Sequence, residues 1–203
     1  MPQTDRTAQA LDMSPRFEME AFMRLSNEFR LSGEIMQKLM HCWESWVNAS
    51  HAMSITAGDK SYALIWLNES IEAEVDAAWA ESPSEGFRLN TLAQLLCMEL
   101  LREAVPETEE LGCAPAPPRS AELEEALASL GMPCRPGEAG LGRRYAVLTR
   151  RPFAGGCDVC ALAEDCPRLK NVSTNSVTLP GVPLARPAPA PSWYKKRKPD
   201  YTK

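Results

Sequence analysis

The chain has 203 residues, of which 44% are hydrophobic and 24% charged, with a formal net charge of −5. This is ordinary globular composition, enough for one sizeable core with appendages. Residues 171–203 hold six basic side chains against Asp200 alone, so a tail of +5 follows a body of −10, and that acidic body disfavours nucleic acid everywhere except at the tail.

Residues 1–13 are polar, without the basic and apolar stretches of a secretory signal, and are expected to be a disordered N-terminus. No apolar run approaches 18 residues, so no transmembrane helix is expected and the cytoplasm is the default location. Residues 14–49 are predicted to form one long helix, capped by Ser14 with Pro15 at its first position. Phe22, Leu25, Phe29, Met36, Leu39, Trp43 and Val47 make its apolar stripe, and Gly33 is its weak point. A second helix is predicted from Asp59 to about Trp79, with Leu64, Leu67, Ile71, Val75 and Ala78 inward, stopped by Ser82-Pro83. A third covers roughly 87–104, with Leu89, Leu92, Leu96 and Leu100 inward. Three amphipathic helices with short turns imply a mainly α fold, a helical bundle over residues 14–105.

Pro106, Pro115, Pro117 and Pro118 mark a proline-rich linker over 106–119. Ser120 caps a short helix ending at Leu130, with Gly131 suited to the left-handed position beyond it. Residues 143–149 have the alternation of a short strand, but no partner strand is evident. Residues 120–170 are thus expected to form a small irregular module bearing cysteines. Six prolines within 180–199 predict a disordered, partly extended basic tail over 171–203.

The pointed feature is Cys157-Asp-Val-Cys160-Ala-Leu-Ala-Glu-Asp-Cys166-Pro167, a C-x2-C-x5-C run followed by proline. Two cysteines separated by two residues can turn both sulfurs toward one point, and the longer loop returns a third. Cys134, in a Gly/Pro-rich stretch, is the favoured fourth ligand, with Cys113 in reserve. Cys42 and Cys97 lie among apolar helical neighbours and are expected to be buried core thiols. Seven cysteines in a reducing compartment point to free, metal-bound or redox thiols rather than disulfides. Zinc ribbons usually offer two short pairs and this chain has one, so a [4Fe–4S] cluster is favoured, with zinc as the alternative. Gly155-Gly156 would let amides approach cluster sulfides, and Arg150, Arg151, Arg168 and Lys170 would offset its charge.

The run resembles a fragment found in several [4Fe–4S] proteins. It is similar to the end of the DNA-glycosylase loop C-x6-C-x2-C-x5-C, which has a cysteine where this chain has Arg150. It is also similar to the clamp of iron–sulfur nucleases of the PD-(D/E)xK type, whose E-x-K is absent here. A third similarity is to the auxiliary-cluster domain of radical-SAM maturases, which continues to a further cysteine. Each resemblance covers about ten residues and implies a metal clamp, not a family.

Elsewhere the residues carry less chemistry. His41 and His51 do not share a helix face and have no nucleophile beside them. Glu69, Glu72, Glu74 and Asp76 have no histidine at the spacing of a di-metal site and are expected to form a solvated face. Trp43, Trp46, Trp66 and Trp79, with Met36 and Met40, are expected in the core. Trp193, Tyr194, Lys195, Lys196, Arg197 and Lys198 place aromatics beside charge in the tail, suited to a protein partner. The sequence therefore predicts a small iron–sulfur protein in an electron-transfer or structural accessory role. The alternative is a helical adaptor or chaperone with a structural zinc site and a partner-binding tail.

Overall fold

The computed structural model describes residues 8–111, 113–132, 141–153 and 156–166. The chain divides into two units, Met1–Glu164 and Asp165–Lys203. The first is a mixed α/β fold built on a four-stranded antiparallel sheet in the order β1-β2-β3-β4. This overturns the expected helical bundle. Strands β2 (Ser50–Ala57) and β3 (Lys60–Leu67) form a hairpin, β2 in the stretch left between two expected helices and β3 where the second was expected to begin.

The hairpin has a local cause. Gly58 and Asp59 form the two-residue turn between flanking partners Ala57 and Lys60, and Gly58 has φ +63° while Asp59 does not leave the negative-φ region. One positive φ at the first turn position is the II′ pattern, whose twist matches that of the strands it joins. The helical reading failed because Leu64 and Leu67 continue the spacing of Ile71, Val75 and Ala78 on α3 (Glu69–Glu81), although Asn68 separates strand from helix as an N-cap. The other expected helix also divides. Helix α1 (Met19–Ser26) ends at Asn27, with φ 55°, and α2 (Gly33–Asn48) begins afresh under the Ser32 cap. Leu25 and Phe29 consequently leave the apolar stripe and are exposed. Ser14 caps nothing. Its N–H donates to the Glu103 carboxylate instead.

Helix α4 (Pro83–Ala104) follows the predicted pattern closely. Ser82 accepts a hydrogen bond from the Glu85 N–H, Pro83 occupies the first turn, and Leu89, Leu92, Leu96 and Leu100 are buried. Each such leucine contributes about 2 kcal/mol through burial. With α2 and α3, this helix covers one sheet face, where Ala52, Ala63, Ile65 and Leu67 point. The buried Trp46 indole is satisfied by donating Nε1–H to Glu74 at 2.7 Å. A short α5 (Glu107–Leu111) follows α4.

The opposite face carries Ile55, Ala57, Tyr62 and Leu64, which meet Leu123, Ala126 and Leu127 of α6 (Ala121–Ser129). Ser120 caps α6, and Gly131 takes φ +71° beyond its end, as expected. Strand β4 (Ala146–Arg150) finds the partner the sequence could not name, pairing with β3 in the register Tyr62 to Arg150 and Trp66 to Ala146. Three residues of the stretch expected to be a disordered N-terminus, β1 (Ala8–Ala10), pair with Met53–Ile55 on the free edge of β2. Arg143 and Arg144 tie the approach to β4 onto α3 through Glu69 and Asp76. Among the described residues, no helix is long and apolar enough to cross a membrane.

Candidate functional site

Cys157 opens and Cys160 caps a 3-10 turn (Cys157–Val159) that begins seven residues after the last residue of β4. The Cys160 N–H donates to the Cys157 carbonyl at 3.3 Å, and the Val159 N–H to that of Gly156 at the same distance. These bonds fold the C-x2-C segment back on itself. Beyond it, the Ala161 N–H donates to the Ala116 carbonyl at 2.8 Å. The buried Thr149 hydroxyl of β4 donates to Pro115 at 3.1 Å. Strand β4 and the cysteine turn are thereby both fastened to the proline-rich segment that carries Cys113.

The thiols fall into two groups. Cys42 and Cys97 are buried among helices α2 and α4, as the sequence predicts. Burial pushes Cys97 up to about 12; burial, and then the nearby Glu74 carboxylate, push Cys42 up to about 11. Cys113 and Cys157 are exposed and Cys160 is half-buried. Cys166 is half-buried within the second unit. Cys134, the favoured fourth ligand, lies outside the described residues, as do Arg168, Lys170 and the Trp193–Lys198 segment of the tail. Among the described residues, no three Cys, His, Asp or Glu side chains are grouped so as to hold a metal ion.

A cleft of about 420 Å³ opens beside the turn, with Asp158, Val159, Cys160 and Ala161 on one side. Lys60, Tyr62, Arg119 and Arg150 contribute its other chemistry. Arg150 is the basic residue expected beside the thiols; Lys60, Tyr62 and Arg119 were not anticipated. No local sequence signal marks them, because Tyr62 comes to lie directly across from Arg150 only through the β3–β4 register. Burial raises the Tyr62 hydroxyl above its usual pKa, and the Arg150 charge opposes that shift.

The remaining residues have structural surroundings. His51 stacks on Trp66 across the β2–β3 pair at 4.8 Å, and His41 is exposed. Trp43 and Trp46 are core residues, whereas Trp79 is 42% exposed. Within the acidic stretch, Glu69 and Asp76 pair with arginines, Glu72 accepts the Arg144 N–H, and Glu74 accepts the Trp46 indole.

No known protein family, characterised protein or solved structure matches this chain.

Proposed function

We propose that the protein is a small cytoplasmic iron–sulfur protein in which Cys157, Cys160, Cys166 and a fourth cysteine hold a [4Fe–4S] cluster, in an electron-transfer or structural accessory role. Cys134 is the fourth ligand of choice and Cys113 its alternative. The observation that carries this reading is the segregation of the thiols: the C-x2-C pair shares one turn at the surface, while the two helical cysteines are sealed in the core. Thiolates are the ligating form, and accessible thiols can lose their protons to a metal where buried ones cannot. Arg150 and Lys60 beside Cys160 suit the anionic charge of a thiolate-bound cluster. Metal-site formation is commonly coupled to ordering of the ligand loops, so loading is expected to draw these thiols together. A reducing cytoplasm keeps such cysteines available.

A second reading, the adaptor with structural zinc, is favoured by the apolar side chains left outside on the helical side of the fold. Phe29 is 67% exposed, and Met19, Leu25 and Met40 are each more than two-fifths exposed. Where such side chains form one contiguous patch, they mark a protein contact.

One preparation separates the readings. Protein purified without oxygen is analysed for visible absorption, iron, sulfide and zinc, alongside Cys160→Ser. A brown protein with roughly four irons per chain, bleached by the substitution, establishes the cluster. A colourless protein with about one zinc moves the assignment to the adaptor. Neither metal overturns both metal assignments.

A further inference from the structure

The cleft beside Cys160 has a chemistry of its own, independent of any metal. Three cationic side chains reach it from three separate elements: Lys60 at the start of β3, Arg150 at the end of β4, and Arg119 just before α6. Asp158 is the one acidic residue in its lining against three cations, while Asp59 and Glu122 stand near enough to act on Tyr62 and Lys60 from outside it. Neither Lys60 nor Arg150 has a carboxylate within ion-pair distance among the described residues, whereas Arg88, Arg102, Arg143 and Arg144 all do. Arg119 is engaged, with Glu124 at 3.7 Å among its partners, so Lys60 and Arg150 are the cations the cleft offers a ligand first. Pro117, Pro118, Val159 and Ala161 make the apolar part of the wall beside Ser120 and Cys160, and Tyr62 is buried.

Arg150 and Lys60 alone present more donors than a flat carboxylate can use, and Arg119 lines the same cleft. They suit a tetrahedral dianion approached from several sides. The proline wall offers a rigid apolar surface for the rest of a molecule, and a volume of about 420 Å³ falls in the range of small-molecule clefts. We propose that this cleft binds a small phosphate monoester, its phosphate between Lys60, Arg119 and Arg150 and its apolar body against Pro117 and Pro118. Binding there brings the ligand beside Cys160, but the assignment does not rest on the iron–sulfur reading.

The test is calorimetric titration of the full chain with phenyl phosphate and adenosine 5′-monophosphate, set against phenol, adenosine and inorganic phosphate. At least one monoester is expected to bind at least tenfold more tightly than inorganic phosphate, and neither uncharged counterpart is expected to bind. Arg150→Gln and Lys60→Gln should each weaken the monoester about tenfold or more, while Arg30→Gln, an exposed cation outside the cleft, leaves it unchanged. If Arg150→Gln does not fold, Lys60→Gln at the exposed end of the hairpin carries the test. Absence of binding by both monoesters at millimolar concentration overturns the proposal. So does equal affinity for inorganic phosphate, or equal weakening by Arg30→Gln. Cys157→Ser, at a proposed cluster ligand outside the cleft lining, separates the two assignments: it removes the metal of the iron–sulfur reading and leaves monoester binding in place.

Discussion

Cys97 and Cys157 are the same residue put to opposite uses by their surroundings. Cys97 sits in the middle of α4, covered by the helical layer and the sheet, and burial pushes its thiol up to about 12. Cys157 opens a surface turn, in a segment held by backbone hydrogen bonds rather than apolar packing. Dense packing turns a cysteine into a small inert hydrophobe; a hydrogen-bonded turn leaves it available as a ligand or nucleophile. The difference lies in the tertiary neighbourhood, since both side chains have the same intrinsic chemistry.

Thiol labelling is the sharpest way to break that contrast. At pH 8 a thiol with a pKa of about 12 is ionised in about one molecule in ten thousand, and Cys97 is covered besides. In metal-free protein, iodoacetamide is expected to alkylate Cys157 at least about a thousandfold faster than Cys97, read by peptide mass spectrometry. Comparable rates would show that the helical layer does not seal Cys97.

Stability should divide the same two regions. Leu96 is fully buried next to Cys97, and Leu96→Ala is expected to lower unfolding free energy by about 3 kcal/mol in urea titrations. Cys157→Ser in the metal-free protein is expected to stay within about 0.5 kcal/mol of the wild type. A loss of several kcal/mol from Cys157→Ser would mean that the turn is part of the core.

The smallest effect concerns the ion pair that fastens the β4 approach to the helical layer. The Arg144 guanidinium hydrogen-bonds Asp76 at 2.6 and 3.1 Å and holds its carboxyl below the usual range. A carboxylate with a depressed folded-state pKa adds stability that is present at neutral pH and lost as pH falls through that value, below about 4. Because Asp76 is exposed, the contribution is small. Carboxyl NMR titration should show Asp76 returning to the ordinary range in Arg144→Gln; no change would remove Arg144 as the cause.

Some local signals in the sequence held, although Ser14 caps no helix and Asp59 lies in a hairpin turn instead of starting one. Ser82-Pro83 stops α3, Ser120 starts α6, and Gly131 follows it in the left-handed region, because each depends on hydrogen bonds and φ values within a few residues. The hairpin was missed although its Gly-Asp turn was visible. The run Tyr62–Leu67 is apolar on both faces because α4 covers one and α6 the other, which erased the alternation that marks a half-buried strand. Neither covering is visible from the strand itself.

The candidate site shows the same division. The C-x2-C turn and the buried state of Cys42 and Cys97 were legible, since spacing and local hydrophobicity determine them. The cationic cleft was not, because Lys60, Arg119 and Arg150 are far apart in the chain and meet only through the β3–β4 register and the packing of α6. Sequence alone therefore determined the stop of α3, the cap of α6 and the left-handed residue after it, and the burial of Cys42 and Cys97, all consequences of short-range pattern. The tertiary structure decided which runs became strands and which charges came to line a common cleft, because strand pairing and two-sided burial are long-range contacts that no local pattern encodes.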